Sequence, residues 1–209
     1  MELKENKMDR RVVRTKKMLR DALTDLMCEK GFDSITVSDL TSKADINRGT
    51  FYLHYRDKFD LLEQNEEELI EEIKKIKNAK PIGRKELGKE EELLNTPSPY
   101  NVKLFEYVKE NAEFMKVLLG PRGNPAFHVK LKEVMRSNME RNIMSEIHEH
   151  DMMTVPVDIL SAYAVSAQLG VIQHWLETGM KQTPEEMAIY LRKIFFGSKD
   201  ALWNVKKKS

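Results

Sequence analysis

The chain has 209 residues, 33% of them charged and 41% hydrophobic, the balance of a globular protein with one large or two small domains. No apolar run is long enough to span a bilayer and the charged N-terminus lacks a signal-peptide core, so a cytoplasmic protein is expected. The single cysteine, Cys28, excludes an internal disulfide and a multi-cysteine metal site. A net charge of +1 conceals an uneven distribution: Arg10, Arg11, Arg14, Lys16, Lys17 and Arg20 cluster with no acid between Arg10 and Arg20. Such a cluster is either an electrostatic footprint for phosphates or a solvated face.

Residues 1–9 are polar and are expected to fray. A first helix is expected over about 10–30, because Val12, Leu19, Leu23, Leu26 and Met27 recur at spacings of three, four and seven. Gly31 supplies its stop. Cys28, in the last turn, is expected to be a small buried or half-buried side chain. Thr36 and Asp39 have the spacing of a capping box with Asp in place of Glu or Gln. That box opens a short helix over 37–44 with Val37, Leu40 and Ala44 on one face. Asp45 and Ile46 then turn the chain, with Ile46 as the apolar plug between two helices. Helix, tight turn and helix within about 20 residues is a helix-turn-helix.

The second of those helices is too short and too polar outward to be an ordinary core helix. Asn47 is its N-cap. Arg48 and Thr50 fall in the first turn, where a recognition helix carries its base-reading side chains. Gly49 between them removes a side chain where the backbone comes close to DNA. Phe51 and Tyr55, four apart, hold the helix on the body of the domain. Tyr52, His54 and Lys58 carry donors suited to phosphates.

A further helix is expected from 57 to about 77, with Leu62, Leu69, Ile73 and Ile76 as its buried seam. Glu63, Glu66, Glu67, Glu68, Glu71 and Glu72 are expected to face water, and Lys74, Lys75 and Lys77 follow in the order that complements the helix dipole. Pro81, Gly83, Gly88, Pro97 and Pro99 mark 78–100 as a loop or linker, with a short helix at 85–94. Beyond it, helices are expected over 102–119, 125–150, 157–179 and from 183 onward. Gly120 and Gly123 lack a following Gly-Lys-Ser/Thr, so they make a helix–helix turn rather than a phosphate loop, and Pro125 suits a first helical turn. Thr183, Pro184 and Glu186 give an N-cap, a first-turn proline and a capping-box glutamate. Nothing alternates like a strand for long. The expected fold is all-α: a three-helix helix-turn-helix domain over 1–62, whose linking helix continues to about 77, a linker over 78–100, and a helical effector-binding and dimerisation domain over 101–209.

Residues 35–58 resemble the DNA-binding head of the TetR-type transcriptional regulators. The residues that carry the resemblance are Ile-Thr-Val-Ser-Asp-Leu, then Ala-Asp-Ile-Asn-Arg-Gly-Thr-Phe-Tyr-Leu-His-Tyr, then Asp-Lys and the pair Leu61 and Leu62. With the basic first helix and the Gly31-Phe32 turn, the match covers about 10–62; Asp45 stands where many members have glycine. The stretches at 118–127 and 174–180 resemble a subgroup common in Firmicutes. The resemblance implies that Arg48, Gly49 and Thr50 approach base edges, while Tyr52, His54 and Lys58 meet phosphates together with Thr36 and Ser38. It also implies a homodimer through the last two helices, with Ala162, Ala164, Ala167 and Gly170 allowing close approach, and a roughly palindromic double-stranded operator as partner.

Met115, Met135, Met139, His174 and Trp175 are read either as core or as the lining of a pocket for a small-molecule effector. His148 and His150, two apart on a helix, diverge and are read as solvated rather than as metal ligands; His128 is read as structural. No nucleophile–base pair, zinc-ligand spacing or dinucleotide fingerprint points to an enzyme or a cofactor. The expected function is sequence-specific regulation of transcription, by a repressor that an effector releases from its operator. The alternatives are an activator, a regulator answering to a partner protein, or an interaction module without DNA binding.

Overall fold

A computed structural model of the chain describes residues 2–76, 90–121, 123–146 and 155–197. Among the described residues there are ten α-helices, a 3₁₀ turn at Phe32–Ser34 and no strand, as expected of an all-α fold. None of these helices is long and apolar enough to cross a membrane. They form two compact units: Met1–Leu69 with Glu113–Phe127, and Ile70–Ala112 with His128–Ser209.

In the first unit α1 (Glu2–Lys30) begins earlier than expected. Its first residues are polar but include no Gly or Pro, and polarity alone does not end a helix. Between Arg10 and Lys17 no residue is buried; Leu19, Ala22, Leu23, Leu26 and Met27 form the buried seam. Gly31 ends the helix with φ of 76°, the left-handed conformation that favours glycine. Cys28 is exposed, contrary to expectation, because it stands one residue past Met27 and is turned about 100° away from the seam.

After α2 (Val37–Lys43) and α3 (Arg48–Tyr52) comes α4 (Lys58–Lys75). Its seam contains Leu62, Leu69 and Ile73, but also Glu66, only 3% exposed and expected in water. Positions 62, 66, 69 and 73 are four, three and four apart, so they form one stripe, and position overrides charge. The Glu66 carboxylate accepts hydrogen bonds from Asn124 Nδ2 at 3.1 and 3.3 Å, which offsets part of the cost of burying it.

The single helix expected over 102–119 is two: α6 (Pro99–Glu110) and α7 (Ala112–Leu119), separated at Asn111 by a non-helical backbone (φ −112°, ψ 23°). From Glu113 on, α7 belongs to the first unit, where the Arg20 guanidinium lies 4.8 Å from the Phe114 ring centroid. In the turn after α7, a Cβ on Gly123 would stand 1.8 Å from the Leu118 carbonyl oxygen, so this turn admits only glycine. Asn124 then caps α8 (Pro125–Glu146), its Oδ1 accepting from the Ala126 N–H at 3.0 Å.

The second unit holds α5 (Glu90–Asn95), α6, most of α8, α9 (Val157–Glu177) and α10 (Pro184–Phe196). Helix α10 packs on α5 and α6, so part of the stretch expected to be a linker is a packed helix. Trp175 is buried edge-to-face on Phe105, with centroids 5.2 Å apart, and its Nε1–H donates to the Gln182 carbonyl at 3.2 Å. Buried polar groups are paired: Gln168 donates to Asn101 at 3.0 Å and Ser161 to Glu140 at 2.8 Å. Thr183 and Glu186 form the expected capping box at the start of α10. Residues 77–89 and 147–154 and those after 197 lie outside the described residues, and with them His148 and His150.

Candidate nucleic-acid interface

Helix α2 is opened by a reciprocal cap. Thr36 Oγ1 accepts from the Asp39 N–H at 3.2 Å, and Asp39 Oδ2 accepts from the Thr36 N–H at 2.8 Å and from its hydroxyl at 2.7 Å. Lys30 Nζ lies 2.8 Å from the same carboxylate. The Lys30 bond first, and then those from Thr36, hold the Asp39 carboxyl down at about 2. The Thr36 hydroxyl is therefore committed to the helix, while Ser38 is exposed in the first turn of α2.

Asp45 makes the turn between α2 and α3 with φ of 51°, a left-handed conformation that Asp tolerates better than most residues. The Ile46 N–H bonds back to Thr41 O at 3.0 Å, and Asn47 Oδ1 accepts from the Gly49 N–H at 2.7 Å, the expected N-cap. With five residues, α3 is too short to stand alone. The cap fixes one end, and Phe51, fully buried, pins the inner face with Tyr55 beside it at 5.8 Å between centroids. Burial, helped by nearby Glu68, pushes the Tyr55 phenol up to about 12.

Arg48, Gly49, Tyr52 and Leu53 are exposed around the rest of α3, and Thr50 and His54 are half-buried. Arg48 Nη2 donates to the Tyr52 hydroxyl at 3.3 Å, and its guanidinium carbon lies 6.0 Å from the Tyr52 ring centroid. The base-reading candidate and the phosphate candidate are therefore joined. Lys58 Nζ donates to Phe32 O at 3.1 Å and Asp33 O at 2.8 Å, between the rings of Phe32 and Phe59 at 4.9 and 5.3 Å. Two of its three donors are held by the chain, which leaves one hydrogen for a further acceptor. All eight residues read as DNA contacts lie in the first unit. Leu53 was not among them, although it follows Gly49 by one helical turn and is 80% exposed.

Of the residues read as an effector pocket, Met115 belongs to the first unit and Met135, Met139, His174 and Trp175 to the second. Met115, Met135 and Trp175 are buried, Met139 is half-buried, and His174 is exposed. A groove of about 420 Å³ opens between α8 and α9, lined by Val129, Lys132, Glu133, Arg136, Ala162, Val165 and Ser166. On α9, Ile159, Ala162, Tyr163, Ser166 and Gly170 make an exposed face without charge. Ala164, expected on that face, is buried, and Ala167 is half-buried.

Two family models match the chain. One, described as bacterial regulatory proteins of the tetR family, covers residues 19–64; the other, a transcriptional regulator C-terminal region, covers residues 95–197. The chain belongs to the TetR family. The TetR head match begins at residue 19, where the buried seam of α1 begins, so the first half of that helix lies outside it. The HTH-type transcriptional regulator YxbF of Bacillus subtilis (strain 168) is 49% identical over 61 residues, 29% of this chain and 16% of that relative's length. A TetR transcriptional regulator from Streptococcus agalactiae 2603V shares the fold with a TM-score of 0.58 and 24% identity, covering 90% of this chain and 96% of its own. The fatty acid degradation regulator FadR from Bacillus halodurans does so with a TM-score of 0.62 and 16% identity, covering 88% and 96%.

Proposed function

We propose that this TetR-family chain is a cytoplasmic transcriptional repressor that binds operator DNA as a homodimer. The observation that carries the reading is the outer face of α3: a capped helix start that presents Arg48, the bare backbone of Gly49, and Tyr52, with Phe51 locking the inner face. An arginine at this place pairs bidentately with guanine in the major groove. Ser38, the N–H groups opening α2, Tyr52, His54 and the remaining donor of Lys58 supply phosphate contacts that set the register. The exposed Ile159, Tyr163 and Gly170 of α9, with Tyr190, Ile194 and Phe196 exposed on α10, form the area that a second copy covers. A two-fold dimer then reads half-sites about one helical turn, roughly 34–36 Å, or a multiple of it apart.

Effector binding is assigned to the groove between α8 and α9 rather than to the buried methionines. The effector acts by binding the operator-competent and the released states with different affinities. The reading is tested by anisotropy titration of the protein against its own upstream DNA with random duplex as competitor, followed by transcription in vitro from that DNA. A salt-sensitive complex that survives competitor and lowers transcript yield supports repression. Raised yield makes the protein an activator, and no complex from a folded dimer removes the DNA-binding reading.

A further inference from the structure

Gly49 and Leu53 form the centre line of the α3 face turned away from the core. They stand two residues before and two after Phe51, which is fully buried, and a two-residue step on a helix points a side chain nearly opposite. Leu53 keeps helical backbone angles (φ −73°, ψ −20°), and its N–H bonds to Gly49 O at 3.2 Å, so the two are stacked one turn apart. Neither residue type is required by the folding of the chain. A Cβ on Gly49 would meet only Asn47 Oδ1 at 3.4 Å, an ordinary contact, and alanine is the better helix former. Leu53, 80% exposed, is the most exposed large apolar side chain among the described residues, yet its neighbours Arg48 and Tyr52 are polar.

A stripe of bare backbone followed by a displayed leucine is explained by a surface that comes against it from outside. Given the operator-binding reading on which this rests, that surface is the floor of the major groove, where the apolar feature on offer is the C5-methyl group of thymine. We propose that Leu53 is a specificity residue that packs on a thymine methyl in each half-site, with Gly49 allowing the helix backbone to come close enough for it to do so.

To test this, the full-length protein selects its site from a random duplex pool. The enriched site is resynthesised with each thymine in turn replaced by uracil, which lacks only the methyl group. Anisotropy titration at fixed salt is expected to show a loss of about fourfold at one thymine of each half-site, the effect of one buried methyl. Leu53→Ala binds thymine and uracil duplexes equally at that position, while Leu53→Met, which keeps an apolar reach, retains part of the difference. Indifference of the natural protein to uracil everywhere, or an unchanged thymine preference in Leu53→Ala, overturns the assignment with operator binding intact. Failure to enrich any site overturns operator binding and this assignment with it.

Discussion

Arg48 and Tyr52 are expected to act on DNA as one unit, and a double-mutant cycle measures this. The Tyr52 hydroxyl accepts a hydrogen bond from Arg48 Nη2 at 3.3 Å while remaining able to donate to a phosphate. Tyr52→Phe removes both functions. A hydrogen bond to a charged donor contributes about 1.5–3 kcal/mol when sheltered; with Tyr52 51% exposed, solvent screening reduces this to about 0.5–1 kcal/mol. That is a coupling of roughly two- to fivefold in affinity. On random duplex Tyr52→Phe loses only a phosphate contact. On the selected site it loses the positioning of Arg48 as well, so its penalty there is larger by that factor. Arg48→Ala combined with Tyr52→Phe is expected to lose roughly two- to fivefold less than the product of the single losses. Anisotropy titrations of the four proteins on both duplexes at one salt concentration supply the cycle. Strict additivity on the selected site would refute the coupling and return the two residues to separate roles.

Lys58→Met keeps an apolar stem between Phe32 and Phe59 and removes the ammonium; it is expected to weaken binding to every sequence and to lower the salt slope by about 0.9 per half-site, whereas an unchanged slope would deny a phosphate contact. Gly123→Ala forces a Cβ onto the Leu118 carbonyl and is expected to cost about 2 kcal/mol or more, a fall in Tm of about 4–8 °C by calorimetry; a Tm within about 1 °C of the parent would show that the turn relaxes freely. Asp39 is held below its ordinary value of 3.8, so its contribution is present above about pH 4 and is lost as pH falls toward 2. Asp39→Asn is therefore expected to lower Tm at neutral pH and to flatten its fall between pH 4 and 2, and parallel acid profiles for the two proteins would remove the linkage.

The head was legible in the sequence because its signals are local. The cap at Asn47, the box at Thr36 and Asp39 and the turn at Asp45 each involve residues at most three apart, and each is found where expected. What was missed depends on residues distant in sequence or on the priority given to charge. Glu66 lies on the apolar stripe of α4, and its burial depends on Asn124, 58 residues away. The break at Asn111 was invisible because apolar positions recur on both sides of it. Methionine suits a core as well as a cavity, so residue type alone gives no position to an effector pocket. Leu53 carries no signal in the sequence, because an exposed leucine is unremarkable by composition; it is distinguished only by standing opposite the buried Phe51.

Asp45 has a consequence for how the protein meets its target. A glycine in this turn would leave the unfolded and partly opened chain many routes between α2 and α3. An aspartate at φ of 51° narrows those routes, giving up some ease in the folded state in exchange for fewer alternatives. The recognition helix is thereby aimed before any DNA arrives, and less ordering is left to be done in the complex. The same turn limits how the head can drift in sequence: Asn and Gly fit at this position, whereas a β-branched residue would unseat the helix that follows.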